Sequence, residues 1–196
     1  MFLVAGLGNP GEEYALTPHN LGFLVVERLA SRYEIRISRR DSQALIGVGE
    51  VDGHRVMLAE PQTYMNLSGN ALEPLVAKHE IELDHLMVVY DELDLPWGTL
   101  KIKSKGSAAG HNGMKSVIAK LGTSEIIRVR LGIHPGHPLA SGKDFLLSPM
   151  GRSQRKELDE FIDFGADAVR SIIAEGVEKA MTKYNRRAPG LNTEEA

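Results

Sequence analysis

The sequence of 196 residues contains no cysteine and no long apolar run. The first absence excludes disulfide bonds and thiol chemistry, and it is compatible with the cytosol. The second excludes a transmembrane helix, which needs roughly 18 consecutive apolar residues. Residues 1–7 are apolar, but they lack a basic leader and are followed directly by Gly8-Asn9-Pro10. We therefore interpret them as a first strand and not as a signal peptide.

Patterns for two common kinds of catalytic site are missing as well. The serines are scattered, and none lies in a nucleophile-elbow motif. His134 and His137 are separated by Pro135 and Gly136, with no nearby carboxylate at the spacing of a metal site. The sequence therefore predicts a site that uses neither a metal nor a cofactor.

Charge is unevenly distributed along a chain whose formal net charge is −3. Residues 98–133 contain seven basic residues and one acid, which gives this window +6, while the other residues together carry −9. A basic region on an acidic protein favours a defined anionic ligand. The alternative is an ordinary solvated strand, because Lys101, Lys103 and Lys105 alternate along the chain. Charge alone leaves both interpretations open.

The order of the apolar patterns predicts a single α/β domain. Strand-like segments alternate with helical periodicity, and Asp52-Gly53 between two such strands is a strong hairpin signal. We expect a twisted, mixed and largely parallel sheet with helices on both faces and one antiparallel edge. This domain should cover residues 1–187, and residues 188–196 should form a flexible C-terminal tail. The predicted strands are 1–7, 44–51, 54–60, 86–90, 99–104 and 126–133, with a short strand near Phe145; the predicted helices are 19–34, 66–79, 111–121 and 154–184, the last interrupted at Gly165 or Gly176.

Five Gly-, Pro- and Asn-rich segments follow predicted strands or begin predicted helices. Because sites in α/β folds are built at strand ends, we expect these segments to meet. Together they would supply one histidine, one aspartate and three amides for proton transfer and neutral hydrogen bonding. The segments are Gly6-Leu7-Gly8-Asn9-Pro10-Gly11, Thr17-Pro18-His19-Asn20, Thr63-Tyr64-Met65-Asn66-Leu67-Ser68-Gly69, Tyr90-Asp91-Glu92-Leu93-Asp94-Leu95-Pro96 and Gly110-His111-Asn112-Gly113.

The first segment also matches the dinucleotide fingerprint G-x-G-x-x-G after a strand. In that motif the loop opens a helix directly, and the helix N-terminus binds the pyrophosphate. Here Pro10 removes one backbone N–H, Pro18 would interrupt the helix, and helical periodicity restarts only at His19. A tight turn that brings the Asn9 amide to a ligand is therefore favoured over a dinucleotide-dependent enzyme.

His19 and Asp91 suggest proton-transfer chemistry. An aspartate at a strand end can accept from one imidazole nitrogen, which fixes the tautomer and leaves the other nitrogen as a base near neutral pH. The alternatives are that His19 is an ordinary residue of a first helical turn and that Asp91 caps the next turn. Asn66 and Asn112 also have two interpretations, as helix N-caps or as amides that stabilise an oxyanion.

In their order along the chain, these motifs resemble those of the bacterial peptidyl-tRNA hydrolase family. The similarity runs from Phe2 to about Pro149 and includes Tyr14 and the Lys-Ser of Gly-His-Asn-Gly-x-Lys-Ser. It implies a single-domain α/β enzyme, usually a monomer, that acts in the cytoplasm. The implied reaction is hydrolysis of the ester between a peptide or N-blocked amino acid and the 3′ ribose of tRNA, which frees tRNA for translation.

The resemblance also implies residue roles. His19 would activate water with the support of Asp91, and Asn9 would help to distinguish blocked from free aminoacyl-tRNA. The 3′ CCA end of the tRNA, or the peptide, would contact Tyr14, Tyr64, Asn66, Asn112 and His111. The catalytic set would also include Asn9, Asn66 and Asn112. Lys103 and Arg130 would bind the 5′ phosphate at the acceptor stem.

Four positions depart from the family pattern. Pro18 stands where Arg is usual, Glu60 where Lys is common, Tyr90 where His is common and Ala109 where Gly is common. None is an expected chemical group, so we expect an intact reaction with altered tRNA affinity or loop mobility. The main alternative function is a non-catalytic RNA-binding relative of the same fold, and the intact histidine, aspartate and asparagine motifs argue against it.

Overall fold

The computed structural model describes residues 1–191, which form eight strands and six α-helices. The strands are β1 (Phe2–Gly6), β2 (Arg39–Asp41), β3 (Ala44–Val51), β4 (His54–Pro61), β5 (Leu86–Pro96), β6 (Thr99–Lys103), β7 (Ile127–His134) and β8 (Arg186–Arg187). The helices are α1 (Leu21–Arg32), α2 (Ser68–Lys78), α3 (Asn112–Leu121), α4 (Gly142–Leu147), α5 (Arg152–Glu175) and α6 (Val177–Tyr184). Within this described part, no helix combines the length and the apolarity needed to cross a bilayer.

All the strands belong to one sheet in the order β2-β3-β4-β1-β5-β7-β6-β8. The four central strands are parallel, since β1 pairs with β4 and β5, and β5 pairs with β7. The pairs β2–β3, β3–β4, β6–β7 and β6–β8 are antiparallel. The predicted α/β class with a mixed, largely parallel sheet is confirmed. The antiparallel Asp52-Gly53 hairpin is present, but both edges of the sheet are antiparallel and not one alone.

The sheet separates two apolar layers, and each layer is covered by its own helices. One layer packs α1, α5 and α6 against side chains such as Val4 and Val129, and the other packs α2 and α3 against side chains such as Leu3 and Val88. Neighbouring residues of a strand point to opposite faces, so Leu3 and Val4 enter different layers. The central strands are therefore apolar on both faces, as buried parallel strands require.

Two glycines bring α1 close to the carboxyl ends of the central strands. A Cβ atom at Gly6 would collide with the carbonyl oxygen of Gly22, and one at Gly22 would collide with the backbone of Val89 and Leu7. Neither position has room for a side chain. This close approach sets the 3-10 turn Pro18–Asn20 beside β5. The first Gly-x-Gly motif thus serves helix–sheet packing, and a 3-10 turn at Glu12–Tyr14 follows it in place of the helix of a dinucleotide site.

The region near Phe145, predicted as a short strand, is helix α4. Its N-cap is Ser141, whose Oγ accepts a hydrogen bond from the Asp144 N–H at 3.2 Å. A serine three residues before an acid is a helix-start signal, and this local signal outweighs the apolar run that suggested a strand. The long helical pattern divides into α5 and α6 at Gly176, where φ is 93°.

The segment expected to be a C-terminal tail begins in packed structure. The Ala188 N–H donates to the Gly98 carbonyl oxygen at 2.8 Å, and the side chains of Ala188 and Leu191 are buried. The packed part of the domain therefore extends at least to Leu191. The rest of the expected tail, residues 192–196, lies outside the described residues.

Candidate active site

A cleft of about 590 Å³ lies at the carboxyl ends of the central parallel strands. Its walls come from the segments that follow β1 and β4, from the turn that precedes α1, and from α3 and α4. Six residues expected at the site from the sequence line this cleft, namely Asn9, Tyr14, His19, Tyr64, Asn66 and Asn112. The separated motifs therefore meet, because parallel strands end at one edge of the sheet.

His19 lies in the cleft with Asp91 directly behind it. The His19 Nδ1 is 2.8 Å from the Asp91 Oδ2, and both side chains are buried. Burial opposes the negative charge of Asp91, but the neighbouring imidazoles of His19 and His111 outweigh it and hold the pKa of Asp91 below its usual range. An ionised carboxylate only accepts hydrogen bonds, so Nδ1 of His19 carries the hydrogen and Nε2 is the basic nitrogen.

The position of Asp91 differs from the sequence prediction in one respect. Strand β5 was expected to end at residue 90, but it continues to Pro96, so Asp91 lies within the strand. The alternative that Asp91 caps a turn is therefore wrong.

His111 is the second partner of Asp91. Its Nε2 is 3.0 Å from the Asp91 Oδ1, and its Nδ1 accepts from the Met114 N–H at 3.1 Å. Because Nδ1 accepts, Nε2 carries the hydrogen and donates to the carboxylate. The histidine is thus both the N-cap of α3 and a support for Asp91. It lies behind the carboxylate against the ring of Tyr90, at a centroid distance of 4.7 Å, and not among the residues that line the cleft.

The same three residues have donor types that can bind a metal. Ligand atoms of His19, Asp91 and His111 lie within 4.8 Å of one another. Each of the atoms that face one another is already part of a hydrogen bond between an imidazole and the carboxylate. The geometry is that of a hydrogen-bonded chain, which can orient and charge-stabilise an imidazole.

The Asn9 side chain is held in one orientation. Its Oδ1 accepts from the Met65 N–H at 2.8 Å, which directs the amide nitrogen away from that backbone. The backbone of Asn9 is fixed by Asn20, through two hydrogen bonds of 2.9 Å. Within the described residues, the Nδ2 group of Asn9 has no partner, and the residue lines the cleft. Asn20 belongs to a predicted motif, but sequence alone did not assign it this role.

Asn66 and Asn112 are not helix N-caps. Asn66 lies in the 3-10 turn Met65–Leu67, and Asn112 is the first residue of α3, whose cap is His111. Both residues are exposed, and their amides make no side-chain hydrogen bond within residues 1–191. The interpretation as N-caps is therefore wrong, and both amides can bind a ligand in the cleft.

Helix α4 forms a wall of the cleft that the sequence did not predict. Lys143, Leu146 and Leu147 line this wall together with Leu93 of β5. The helix also contacts the 3-10 turn that carries His19. The wall supplies apolar surface and one cationic side chain to the cleft. The Ser141 cap was the local signal that would have revealed it.

The two residues expected to bind the 5′ phosphate differ in exposure. Lys103 on β6 is half-buried, whereas Arg130 on β7 is buried and donates from Nη1 to the Glu92 Oε1 at 3.0 Å. Their charges are close, since the field of Arg130, followed by desolvation, lowers the pKa of Lys103. Neither residue lines the cleft. The structure thus makes Lys103 the more accessible cation, with Arg130 neutralised by Glu92.

Arg128, another cation of the basic window, is a structural residue. Its guanidinium is buried and donates to the carbonyl oxygens of Ile126, Ser107 and Ser124 at distances of 2.7–3.1 Å. These contacts tie the loop before α3 to β7. Ala109 in this loop has a φ of 47°, a left-handed conformation that favours glycine, which explains physically why glycine is usual there.

Glu60 and Tyr90, two departures from the family pattern, are both buried. Burial and the neighbouring carboxylate of Glu27 raise the pKa of Glu60 to about 8. Its Oε1 has no hydrogen-bond partner in the described part of the chain. Burial raises the pKa of Tyr90 to about 12. Neither side chain lines the cleft, so these departures change its surroundings and not its walls.

Comparison with known proteins identifies the family. A family model described as peptidyl-tRNA hydrolase matches residues 3–192. The chain belongs to the peptidyl-tRNA hydrolase family. The family member from Solibacter usitatus is 74% identical over the full length of both chains, and that from Bacillus subtilis is 40% identical over 95% of this chain and 100% of its own. A crystal structure of peptidyl-tRNA hydrolase from Acinetobacter baumannii is similar with a TM-score of 0.89 and 32% identity over 96% of each chain.

Proposed function

We propose that the protein hydrolyses the ester bond between a peptide or N-blocked amino acid and the 3′ ribose of tRNA. The observation that carries the proposal is the His19–Asp91 hydrogen bond of 2.8 Å beside a cleft with three amide NH2 groups that make no hydrogen bond within residues 1–191. The activity named for the relatives supports the same class of substrate. Free tRNA and a free peptide carboxylic acid are the products.

Water is the nucleophile in this mechanism. Nε2 of His19 accepts a proton from water while the water oxygen attacks the ester carbonyl carbon. Asp91 orients the ring and stabilises the imidazolium, and His111 holds the other carboxylate oxygen. When the tetrahedral intermediate collapses, the bond to the ribose 3′ oxygen breaks and the imidazolium returns its proton to that oxygen. This chemistry needs an oriented imidazole and no metal.

The three asparagine amides have two roles in this mechanism, stabilising the oxyanion and recognising the acyl group. Asn66 or Asn112 donates to the oxyanion that develops on the ester carbonyl. The Nδ2 group of Asn9 is a fixed donor, so it suits the carbonyl oxygen of a peptide or blocking group and cannot accept from the ammonium of a free aminoacyl group. This difference would favour blocked over free aminoacyl-tRNA.

Binding of the nucleic acid uses aromatic and basic side chains. Tyr14 and Tyr64 at the cleft would contact the 3′ CCA end, and the exposed ring of Tyr64 suits stacking on a base. Lys103 would contact the acceptor-stem 5′ phosphate, supported by Arg130. The proposed working unit is a monomer, as the resemblance to the family implies. Because the substrate arises in translation, we place the reaction in the cytoplasm.

The direct test is release of an N-acetylated amino acid from tRNA, measured beside the unblocked aminoacyl-tRNA. We expect rapid release of the acetylated amino acid and much slower release of the free one. Binding of tRNA without ester cleavage would contradict the proposal and support the non-catalytic RNA-binding alternative. Dependence of the rate on an added dinucleotide would instead support a dinucleotide-dependent enzyme.

A further inference from the structure

A second cavity, outside the cleft, is lined mainly by cations. It measures about 510 Å³ and is bounded by Met150, Arg152, Arg155 and Lys156 at the start of α5. The three basic side chains are exposed, and within residues 1–191 none of them forms an ion pair or a side-chain hydrogen bond. We call these three residues the α5 basic surface.

Farther along α5, charged side chains form ion pairs with another helix. Its middle turns carry Asp159, Asp163 and Asp167, which pair with Arg28 and Arg32 of α1. Those ion pairs join two helices, whereas the three cations of the α5 basic surface form no ion pair within residues 1–191. Residues 152, 155 and 156 have the i, i+3 and i+4 spacing of one helix face, so their like charges accumulate around one concavity. Such a concavity attracts anions.

The α5 basic surface adjoins the segment that carries the proposed base. The Met150 N–H donates to the Leu16 carbonyl oxygen at 2.8 Å. His19 is three positions after Leu16, so their Cα atoms lie at most about 11 Å apart. Helix α4, which precedes Met150, contacts the same 3-10 turn. An anion bound at this surface would therefore lie near the cleft but outside it, because the two cavities share no lining residue.

The basic side chains of strand β6 point to the other face of the sheet. Leu100 and Ile102 of this strand point into the apolar layer that includes α5. Their neighbours Lys101 and Lys103 therefore point to the opposite face. Two basic surfaces thus lie on opposite faces, and the cleft at the strand ends lies between them.

We propose that the α5 basic surface binds backbone phosphates in the body of the same tRNA whose 3′ end occupies the cleft. The proposal rests on the proposed function, because it takes the tRNA substrate from it. Arginine and lysine bind phosphates without reading bases, which suits an enzyme that must accept many tRNAs. The tRNA would then be held on both faces of the sheet, by Lys103 on one and by Arg152, Arg155 and Lys156 on the other.

The test is the triple variant R152Q/R155Q/K156Q, assayed with N-acetyl-aminoacyl-tRNA between 50 and 200 mM salt. We expect KM to rise at least about tenfold and the slope of log(kcat/KM) against log[salt] to flatten by roughly 2–3 units, with kcat unchanged. The matched control is R36Q/R39Q/R40Q, which removes the same charge from exposed residues near the far edge strand β2. Equal KM values and salt slopes for the two triple variants would overturn the proposal.

A second, shorter substrate tests whether the α5 basic surface contacts the body of the tRNA. The same amino acid ester on a CCA trinucleotide lacks the tRNA body, so the triple variant should hydrolyse it at the wild-type rate. An equal loss on both substrates would place the effect in the cleft and contradict the assignment. If the triple variant fails to fold by circular dichroism, the single variants Arg152→Gln and Arg155→Gln should each flatten the salt slope by about 1. Absence of hydrolysis by the wild-type protein would overturn the proposed function instead.

Discussion

Two buried carboxyl groups lie on the strands that flank β1, and their surroundings shift their pKa values in opposite directions. Asp91 on β5 faces His19 and His111, which hold its pKa below the usual range against the effect of burial. Glu60 on β4 faces the carboxylate of Glu27, which adds to burial and raises its pKa to about 8. Both side chains are almost completely buried.

The comparison shows that partners, and not burial, decide whether a carboxyl group keeps its charge in this sheet. Burial penalises the charged form at both positions. At Asp91 two imidazole N–H groups compensate for lost water, so a negative charge remains beside the proposed base. At Glu60 no cation within residues 1–191 offsets the effect of burial and of Glu27, and the raised pKa favours the protonated form at neutral pH. Only the first arrangement can stabilise an imidazolium.

Within this comparison, we expect replacement of the ionised residue, Asp91, to have the largest effect on activity. Asp91→Asn removes the charge and presents an amide to both histidines, so the tautomer of His19 is no longer fixed. We expect kcat for hydrolysis of N-acetyl-aminoacyl-tRNA to fall by about 10³–10⁴-fold. Glu60→Gln is the matched control and should leave kcat within a few-fold. A similar loss in both variants would mean that the two carboxyl groups do not differ in function.

Glu92, next to Asp91 on β5, extends the comparison to a carboxylate paired with arginine. Arg130→Gln would leave Glu92 buried without its cation, and we expect unfolding free energy to fall by about 3–5 kcal/mol. Lys103→Gln should barely change stability, but it should raise KM and flatten the salt dependence by about 1. Urea unfolding and salt-dependent kinetics separate the two effects. The opposite pattern, with Arg130→Gln stable and Lys103→Gln unfolded, would refute the assignment of Lys103 as the accessible cation.

Replacing the neutral amides of Asn66 or Asn112 should lower activity less than replacing Asp91, because no charge is removed. Asn66→Ala and Asn112→Ala should be compared for kcat and KM separately. The variant that lacks the oxyanion donor should lose about 10²–10³ in kcat, whereas the other should mainly raise KM. If both variants keep wild-type kcat, the oxyanion is stabilised by another donor.

Glu60 should affect stability and not activity. Its folded pKa lies above the unfolded value, so its favourable contribution is complete below about pH 4.5 and is lost as the pH rises through about 8. Each tenfold change in its acid dissociation constant corresponds to about 1.4 kcal/mol. Denaturant unfolding should therefore show Glu60→Gln to be more stable than the wild type at pH 9 and similar at pH 5. A pH-independent difference would contradict the role of ionisation.

The sequence predicted the parts of the site that depend on local pattern. The apolar runs located the central strands, and the Gly- and Asn-rich segments that follow them contain most residues of the cleft. The double hydrogen bonding of Asp91 was not predicted, because it depends on how α3 is placed over the sheet. The burial of Arg130 was also missed, since its partner Glu92 is 38 positions away in sequence and becomes a neighbour only through the β5–β7 pairing.

Helix α4 illustrates a different kind of failure. The segment near Phe145 was predicted to be a short strand, but the serine cap at Ser141 starts a helix that forms one wall of the cleft. A short segment of six residues carries little periodicity, so its end signals decide its structure.

The most direct test of the central claim is the kcat of His19→Ala with N-acetyl-aminoacyl-tRNA. The control is His79→Ala, which removes a histidine bound at 3.0 Å to Asp41, outside the cleft. If His19 is the base, its replacement should lower kcat by at least about 10²–10⁴-fold while the control keeps nearly full activity. Hydrolysis by His19→Ala at the wild-type rate would contradict the claim that this imidazole activates water.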